Sequence, residues 1–319
     1  MDGSTTPIPE RLDPQKFVDP ELTLVGERRA SVVLDALNTL WFNTGSLCNL
    51  TCRNCYIESS PKNDRLVYLT LDEVRSYLDE ISKAELATIE IGFTGGEPFM
   101  NPEIVDMLEL SLERGFRILV LTNAMRPMMR LAGRLGVLNH HFPGRLVIRV
   151  SLDHYQAEYH EIERGPSSWQ PTIDGLRWLT AENFTIHVAG RTCWDETENT
   201  MRAGYARLFA AEDIAVNAFD RIELILFPEM DADADVPEIT EACWSILNVD
   251  PSSMMCATSR MVVKRKEASR PVIVPCTLLP YDSKFDLGHK LKAAGGAVPL
   301  NHPHCARFCV LGGGSCSVT

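Results

Sequence analysis

Strand and helix signals alternate from residue 38 to about residue 228, which predicts an α/β fold built on a parallel sheet. Two observations carry this expectation. The strand candidates Thr39–Asn43, Ile89–Phe93, Ile118–Leu121, Leu146–Val150, Ile186–Ala189 and Ile222–Phe227 are mostly short apolar runs, the pattern of strands buried on both faces. The segments between them read as helices with marked ends. Thr70-Leu-Asp-Glu73 is a capping box with apolar positions at Leu71, Val74, Leu78 and Ile81. Asn101 before Pro102 supplies an N-cap and first helical residue, and Gly115 closes that helix. Ile173–Leu179 and Met201–Phe209 supply later helices, giving six strand–helix units.

The flanks differ. Residues 1–35 hold prolines at 7, 9, 14 and 20 without clear periodicity and read as an extended arm, packed on the body or partly disordered. The core is expected over 36–235 and a smaller C-terminal unit over 236–319. Asp231-Ala-Asp233-Ala-Asp235 resembles the start of a calcium loop, but Val236 and Ala242 stand where such a loop needs glycine and glutamate. It reads as a solvated acidic linker before a helix at Ile239–Leu247. Arg260–Lys266 and Pro271–Val274 read as a hairpin around a charged turn, with Cys256 and Cys276 at its open ends. A short helix is expected at Leu287–Ala293. The chain ends in Cys305-Ala-Arg-Phe-Cys309, a glycine-rich turn and Cys316.

The totals exclude some functions. The 319 residues are 45% hydrophobic and carry a net charge of −12 with pI near 5.2. That argues against general nucleic-acid binding, which needs a basic surface, and leaves room for a local basic pocket. No apolar run approaches the ~20 residues that span a bilayer, so no membrane association is expected. Met1-Asp-Gly-Ser-Thr5 lacks the features of a signal peptide. Ten cysteines without such a signal read as metal ligands rather than disulfides, and the expected location is cytoplasmic.

Cys48-Asn-Leu-Thr-Cys52-Arg-Asn-Cys55 places three thiols in one short loop after the first strand. Three thiolates so spaced can hold three irons of a [4Fe–4S] cube and leave the fourth open. An open position marks a catalytic rather than a structural metal site. Structural zinc, the plain alternative, takes four ligands in two pairs, and no fourth ligand stands nearby. With Phe93-Thr-Gly95-Gly96-Glu97-Pro98 ending the second strand, the pattern resembles the radical S-adenosylmethionine (SAM) superfamily. The resemblance implies a partial (β/α)6 barrel, with its chemistry at the C-terminal strand ends. It also implies SAM bound at the open iron and reductive cleavage to a 5'-deoxyadenosyl radical. A flavodoxin- or ferredoxin-type electron donor is implied as well.

On this resemblance Glu97 receives the SAM ammonium, with Gly95, Gly96 and Pro98 shaping the turn around it. Thr122-Asn123 resembles the family's Thr-Asn-Gly, with Ala124 for the glycine. Ser151-Leu-Asp153, followed by His160 and Arg164-Gly165, resembles a further run, with Glu161 where aspartate is usual. Ser151, Asp153 and Arg164 are therefore candidate SAM contacts, and His160 shapes the loop. Arg191, ending the fifth strand, faces the site and suits a SAM or substrate anion. Many members carry an aromatic just before the third cysteine. Here Asn54 stands there and Tyr56 follows, so Tyr56 is the candidate adenine contact. Cys193 and Cys243 read as small buried hydrophobes, and His302 and His304 as a polar turn.

The hairpin, helix and cysteines of the tail resemble the twitch or SPASM extensions of the same superfamily, which hold auxiliary Fe–S clusters. The spacing departs from the full seven-cysteine SPASM pattern. Cys256, Cys276, Cys305, Cys309 and Cys316 suit one auxiliary [4Fe–4S] cluster with one thiol to spare or exchangeable. The expected function is hydrogen abstraction from a small molecule, such as a nucleotide, sugar or amino acid derivative. A leader-binding domain of roughly a hundred residues does not fit in the arm, which sets a leader-independent peptide maturase second. A non-catalytic Fe–S or electron-transfer protein is the alternative from another class, and an intact Glu97 element argues against it.

Overall fold

A computed structural model describes residues 11–316. The main sheet begins with β2 (Thr39–Asn43), after the short β1 (Ser31–Val32). Then follow α1 (Leu71–Lys83), β3 (Glu90–Thr94), α2 (Ile104–Glu113), β4 (Arg117–Thr122), α3 (Arg126–Met129) and α4 (Ala132–His141). Next come β5 (Leu146–Ser151), α5 (Ala157–Arg164), α6 (Trp169–Ala181), β6 (Thr185–Arg191), α7 (Glu198–Ala211) and β7 (Leu224–Phe227). The C-terminal part adds α8 (Cys243–Leu247), α9 (Met255–Thr258), β8 (Ser259–Val263), β9 (Val272–Val274), β10 (Val298–Pro299) and a π-helix at Cys305–Leu311.

The eight-stranded sheet has the order β7-β6-β5-β4-β3-β2-β8-β9. All neighbours are parallel except β8 and β9. Strands β2 to β7 succeed one another in space with helices between them, and β7 and β9 stand at opposite edges, so the α/β barrel is open. Alternate residues serve two cores. Leu40, Phe42, Ile91, Phe93, Val120 and Ile148 pack under the helices. Trp41, Leu119, Val147 and Met261 pack on the inner face with the tail residues Ala306, Phe308 and Val310. Both faces are covered, which is why the strands read as unbroken apolar runs.

Local chemistry accounts for the ends. The Thr70 hydroxyl accepts from Glu73 N at 3.3 Å and Glu73 Oε2 accepts from Thr70 N at 3.0 Å, so the capping box is present. Gly115 has φ +95°. The Phe116 N–H reaches Ser111 O and the Gly115 N–H reaches Leu112 O, a Schellman closure that needs a left-handed residue. The start of α2 lies later than the sequence suggests. Asn101 ends a 3-10 turn at Pro98–Met100, and α2 begins at Ile104. Asn101 Oδ1 still accepts from Glu103 N at 2.9 Å, while its Nδ2 ties to Leu69 O at 2.9 Å.

Three tail expectations change. The helix expected from Ile239 covers only Cys243–Leu247. Ile239 O instead accepts from Ala30 N, and Thr240 bridges Arg29. The segment expected as a helix from Leu287 runs beside β9, where Leu287 N donates to Ile273 O and Ile273 N to Gly288 O. Only a 3-10 turn at Leu291–Ala293 remains. The charged hairpin turn is paired rather than simply solvated: Lys264 with Glu73 at 2.6 Å, Arg265 with Asp286 at 2.7 Å and Lys266 with Asp64 at 2.6 Å.

The arm is described from Arg11; its first ten residues, Pro7 and Pro9 among them, lie outside the described residues. It packs on the C-terminal part. Buried Arg29 meets Glu238 at 2.5 Å, Lys16 meets Asp235 at 2.7 Å, and β1 pairs antiparallel with β10. Among the described residues no helix is long and apolar enough to cross a membrane.

Candidate active site

Because β2 to β6 are parallel, the segments leaving their C-terminal ends share one edge of the sheet. The Cys48–Cys55 loop follows β2, Gly95-Gly96-Glu97 follows β3 and Thr122-Asn123 closes β4. Ser151-Leu-Asp153 closes β5 and Arg191 closes β6. A cavity of about 1080 Å³, measured out to its mouth, opens there. Cys48, Cys52, Cys55 and Tyr56 line it, as do Gly95, Gly96, Thr122 and Asn123. Ser151, Asp153, Arg164 and Arg191 complete the wall together with Cys316.

The Cys loop is held by backbone on one side and charged side chains on the other. Gly96 N donates to Gly45 O at 2.8 Å and Glu97 N to Leu47 O at 3.1 Å. A Cβ on Gly96 would stand 2.1 Å from Leu47 O, and one on Gly95, at φ +143°, 2.5 Å from Gly45 O. The two glycines therefore let the Glu97 turn lie directly on the backbone of the thiol loop. On the other side Glu163 accepts from Asn54 Nδ2 at 2.9 Å, its carbonyl takes the Arg53 N–H at 2.8 Å, and Arg191 Nη1 stands 3.4 Å from its carboxylate. Arg164 forms a two-point pair with Asp153, at 2.6 and 3.2 Å, and approaches Cys52 Sγ at 4.0 Å. Glu163 thus joins three parts of the wall. Sequence reasoning missed it, because a glutamate ahead of Arg164 on an exposed-looking helix gives no signal.

Glu97 and Pro98 stand just behind the wall. The Glu97 carboxylate is 1% exposed. It accepts from the Thr122 hydroxyl at 2.8 Å, Asn123 N at 2.9 Å and Phe99 N at 3.2 Å. Burial pushes it up to about 7 against the pull of those donors. Ala124 adopts φ +58°, a left-handed geometry that glycine takes freely. Tyr56 packs toward the inner core, with its hydroxyl bonded to Thr94. His160 lies away from the cavity, buried edge-on to Trp169 at 5.7 Å, and burial, then Arg164, lowers it to about 4.

The tail thiols divide. Cys256, Cys276, Cys305 and Cys309 line a second, apolar cavity of about 370 Å³, walled by Met254, Met255, Leu278, Leu279 and Leu300. Cys305 and Cys309 are four residues apart on the π-helix, so both face one way. Cys316 is not among them. It lines the first cavity, where its carbonyl accepts from Arg149 Nη1 at 2.7 Å and its thiol from the Thr277 hydroxyl at 3.3 Å. His304, expected in a polar turn, is 6% exposed and lines the second cavity. Cys193 and Cys243 are half-buried and line neither.

Among the described residues no three Cys, His, Asp or Glu side chains converge on one point as a single ion requires. Thiols spread around a cavity suit a cube, in which each thiolate takes its own iron. Burial raises Cys48 and Cys305 to about 12 and Cys256 to about 11. Thiols this reluctant to ionise become thiolates only beside a cation, which iron supplies. Backbone N–H groups already aim at two of the sulfurs, Leu50 N at Cys48 and Ser59 N at Cys55, each at 3.4 Å. Both thiol sets therefore fit iron–sulfur ligation.

The sequence profile of the radical SAM superfamily matches residues 42–203. The chain is 29% identical over 143 residues to the antilisterial bacteriocin subtilosin biosynthesis protein AlbA of Bacillus subtilis, covering 44% of this chain and 30% of AlbA. It is 27% identical over 151 residues to the mycofactocin maturase MftC of Mycobacterium tuberculosis, covering 47% and 36%. The AdoMet-dependent heme synthase of Methanosarcina barkeri matches at 26% over 145 residues, covering 44% and 38%. The chain thus spans about a third of the length of these relatives. Among solved structures, Streptococcus suis SuiB bound to precursor peptide SuiA superposes with TM-score 0.59 at 11% identity, over 83% of this chain and 66% of SuiB. AdoMet-bound anSMEcpe gives 0.56 at 13% identity, over 80% and 79%. These likenesses fix the fold as a partial barrel.

Proposed function

The chain belongs to the radical SAM superfamily, and from that premise we propose an enzyme that uses two iron–sulfur clusters, one at the site cavity and one in the apolar cavity beside it. Cys48, Cys52 and Cys55 hold the first cluster, and Cys256, Cys276, Cys305 and Cys309 the auxiliary one. When bound, the first cluster and SAM supply reductive C–S cleavage and a 5'-deoxyadenosyl radical that takes hydrogen from the substrate. The single observation that carries this reading is the partition of the thiols, with Cys48, Cys52 and Cys55 together on the first cavity and Cys256, Cys276, Cys305 and Cys309 on the second, apolar one.

The chain's own residues bind and orient. Glu97 is a buried carboxylate without an ion pair among the described residues, and the SAM ammonium suits it. Thr122 and Asn123 fix its position through their bonds to it. Arg164 and Arg191, on the thiol side of the wall, suit the SAM carboxylate with Ser151. Tyr56 suits the adenine. The apolar inner core beneath excludes water from the radical's path. The substrate reading is a small molecule, since the cavity ends inside the barrel at buried side chains. A flavodoxin- or ferredoxin-type protein would deliver the electron.

A specific observation favours a second substrate reading. A groove of about 970 Å³ shares Asn54, Cys55, Tyr56, Met230 and Leu278 with the site cavity and runs outward past Glu58, Glu229 and Asp282. Such a groove suits an extended peptide, and SuiB, a fold neighbour, binds its precursor peptide SuiA.

The test is anaerobic. Reconstituted protein is given SAM and dithionite, and 5'-deoxyadenosine is measured by mass spectrometry beside a Cys48/Cys52/Cys55→Ala triple variant. The wild type is expected to form it, and the variant to form none while keeping about four irons. Clusters without SAM cleavage under any substrate would sink the enzyme reading.

A further inference from the structure

Arg149 stands in the middle of β5, inside an otherwise apolar strand. It is 2% exposed and lines the site cavity. Its Nη1 donates to the Cys316 carbonyl at 2.7 Å. Its Nε and Nη2 have no partner among the described residues. Those two atoms are not scattered: they form one edge of the guanidinium, the edge that grips a carboxylate or phosphate with two parallel N–H bonds. An unpaired buried charge costs several kcal/mol, so a free edge of this kind needs an occupant.

The described residues offer none. Glu90, the carboxylate whose charge acts on it, is taken by Arg117 at 2.8 and 3.1 Å. SAM is not the natural occupant either. Arg164 and Arg191 stand at the thiol loop, in contact with Asp153, Glu163 and the Asn54 carbonyl. Arg149 lies two residues below Ser151 on the same strand face, ~7 Å deeper in the barrel, beside Cys316.

We propose that the Nε/Nη2 edge of Arg149 is the anchor for an anionic group of the substrate, a carboxylate or a phosphate, at the closed end of the cavity. The inference rests on the radical SAM reading and names the substrate class within it: the substrate is an acid. Its anion sits on Arg149 and its reacting carbon above, toward Ser151 and the SAM end. Burial lowers Arg149 only to about 10, so it stays charged at neutral pH.

The test titrates the reconstituted protein with inorganic phosphate and with succinate by calorimetry, with and without SAM. Arg149→Gln and Arg149→Lys are compared with wild type. Wild type is expected to bind one probe at one site; phosphate or succinate then identifies the source of the anion. Arg149→Gln is expected to weaken that probe at least ~10-fold while leaving SAM affinity unchanged. Arg149→Lys keeps the charge without the edge, so it too weakens the probe, and it carries the test if the glutamine variant does not fold. The proposal is overturned if wild type binds neither probe, or if both variants bind as wild type does. It is also overturned if SAM affinity falls with probe affinity, which would give the edge to SAM. Wild type that binds a probe but never SAM would leave the anchor standing and overturn the radical SAM reading of the cavity.

Discussion

The two thiol sets are built on opposite plans. The front set comes from eight consecutive residues, and its loop is wired to Glu163, Arg164 and Asn123 by polar contacts. It opens on a wide cavity. The rear set comes from three separate places, Cys256, Cys276 and the helix carrying Cys305 and Cys309, and its walls are mostly methionine, leucine and valine, with His304 among them. A site that must admit SAM and substrate needs polar partners and an open side. A site closed by apolar side chains keeps solvent and ligands away, and a cluster there would tie three segments of the tail together. On the proposed assignment the front set carries activity and the rear set stability of the tail.

The largest effect should separate the two plans directly. Replacing Cys276 by Ala is expected to cut iron from about eight to about four per chain and to lower the melting temperature of the reconstituted protein markedly. The front triple variant is expected to lose the same iron with little change in melting. Equal losses of stability would break the contrast. Next comes Gly96→Ala, whose Cβ would meet the Leu47 carbonyl at 2.1 Å. Backbone cannot yield as a side chain does, so a loss of about 3 kcal/mol is expected, together with weaker SAM binding by calorimetry. Unchanged SAM affinity would show that the front loop tolerates displacement.

A pH effect sharpens the front site alone. Glu97 has a folded value of about 7 against an ordinary 4.5, so the native state favours its protonated form. That stabilisation is complete below about 4.5 and is lost as pH rises through 7. Between pH 5 and 8.5, iron-free wild type should lose up to about 3 kcal/mol relative to Glu97→Gln, at ~1.36 kcal/mol per unit. Parallel denaturation midpoints across that range would refute it. The smallest effect is expected from Cys316→Ser. Iron content should not change, because this thiol belongs to neither set, and stability should shift by no more than about 1 kcal/mol, on the scale of one hydrogen bond. A loss of iron would place Cys316 in the auxiliary site after all.

Legibility in the sequence follows the same contrast. The front loop and the strand-end residues could be read because each lies in a short contiguous pattern, and β2 carries the expected bounds unchanged. The partition of the tail thiols could not be read. It is made by the turn at Gly312–Gly314, where Gly312 lies against Arg307 O and Pro228 and Gly314 against the Phe308 ring, sending Cys316 back into the barrel. Arg149 did leave a signal: a charge inside an apolar run buried on both faces cannot turn toward solvent. The tail helices at 239 and 287 were misread because apolar spacing over so few residues suits either a turn of helix or a strand-like run, and pairing with Ala30 and β9 decided the matter.

The parallel pairing of β8 with β2 has a kinetic consequence. Thr39 aligns with Ser259 and Phe42 with Val262. Cys256 precedes the lower end of this pair, and Cys276 follows β9 at that same end, whereas the Cys48 loop leaves the upper end. The two proposed cluster sites thus lie toward opposite ends of one hydrogen-bonded strand pair, ~10 Å long over its three residue steps. Tunnelling falls steeply with distance. With both clusters bound as proposed, a paired strand between them would hold their separation fixed, and with it the rate of electron exchange.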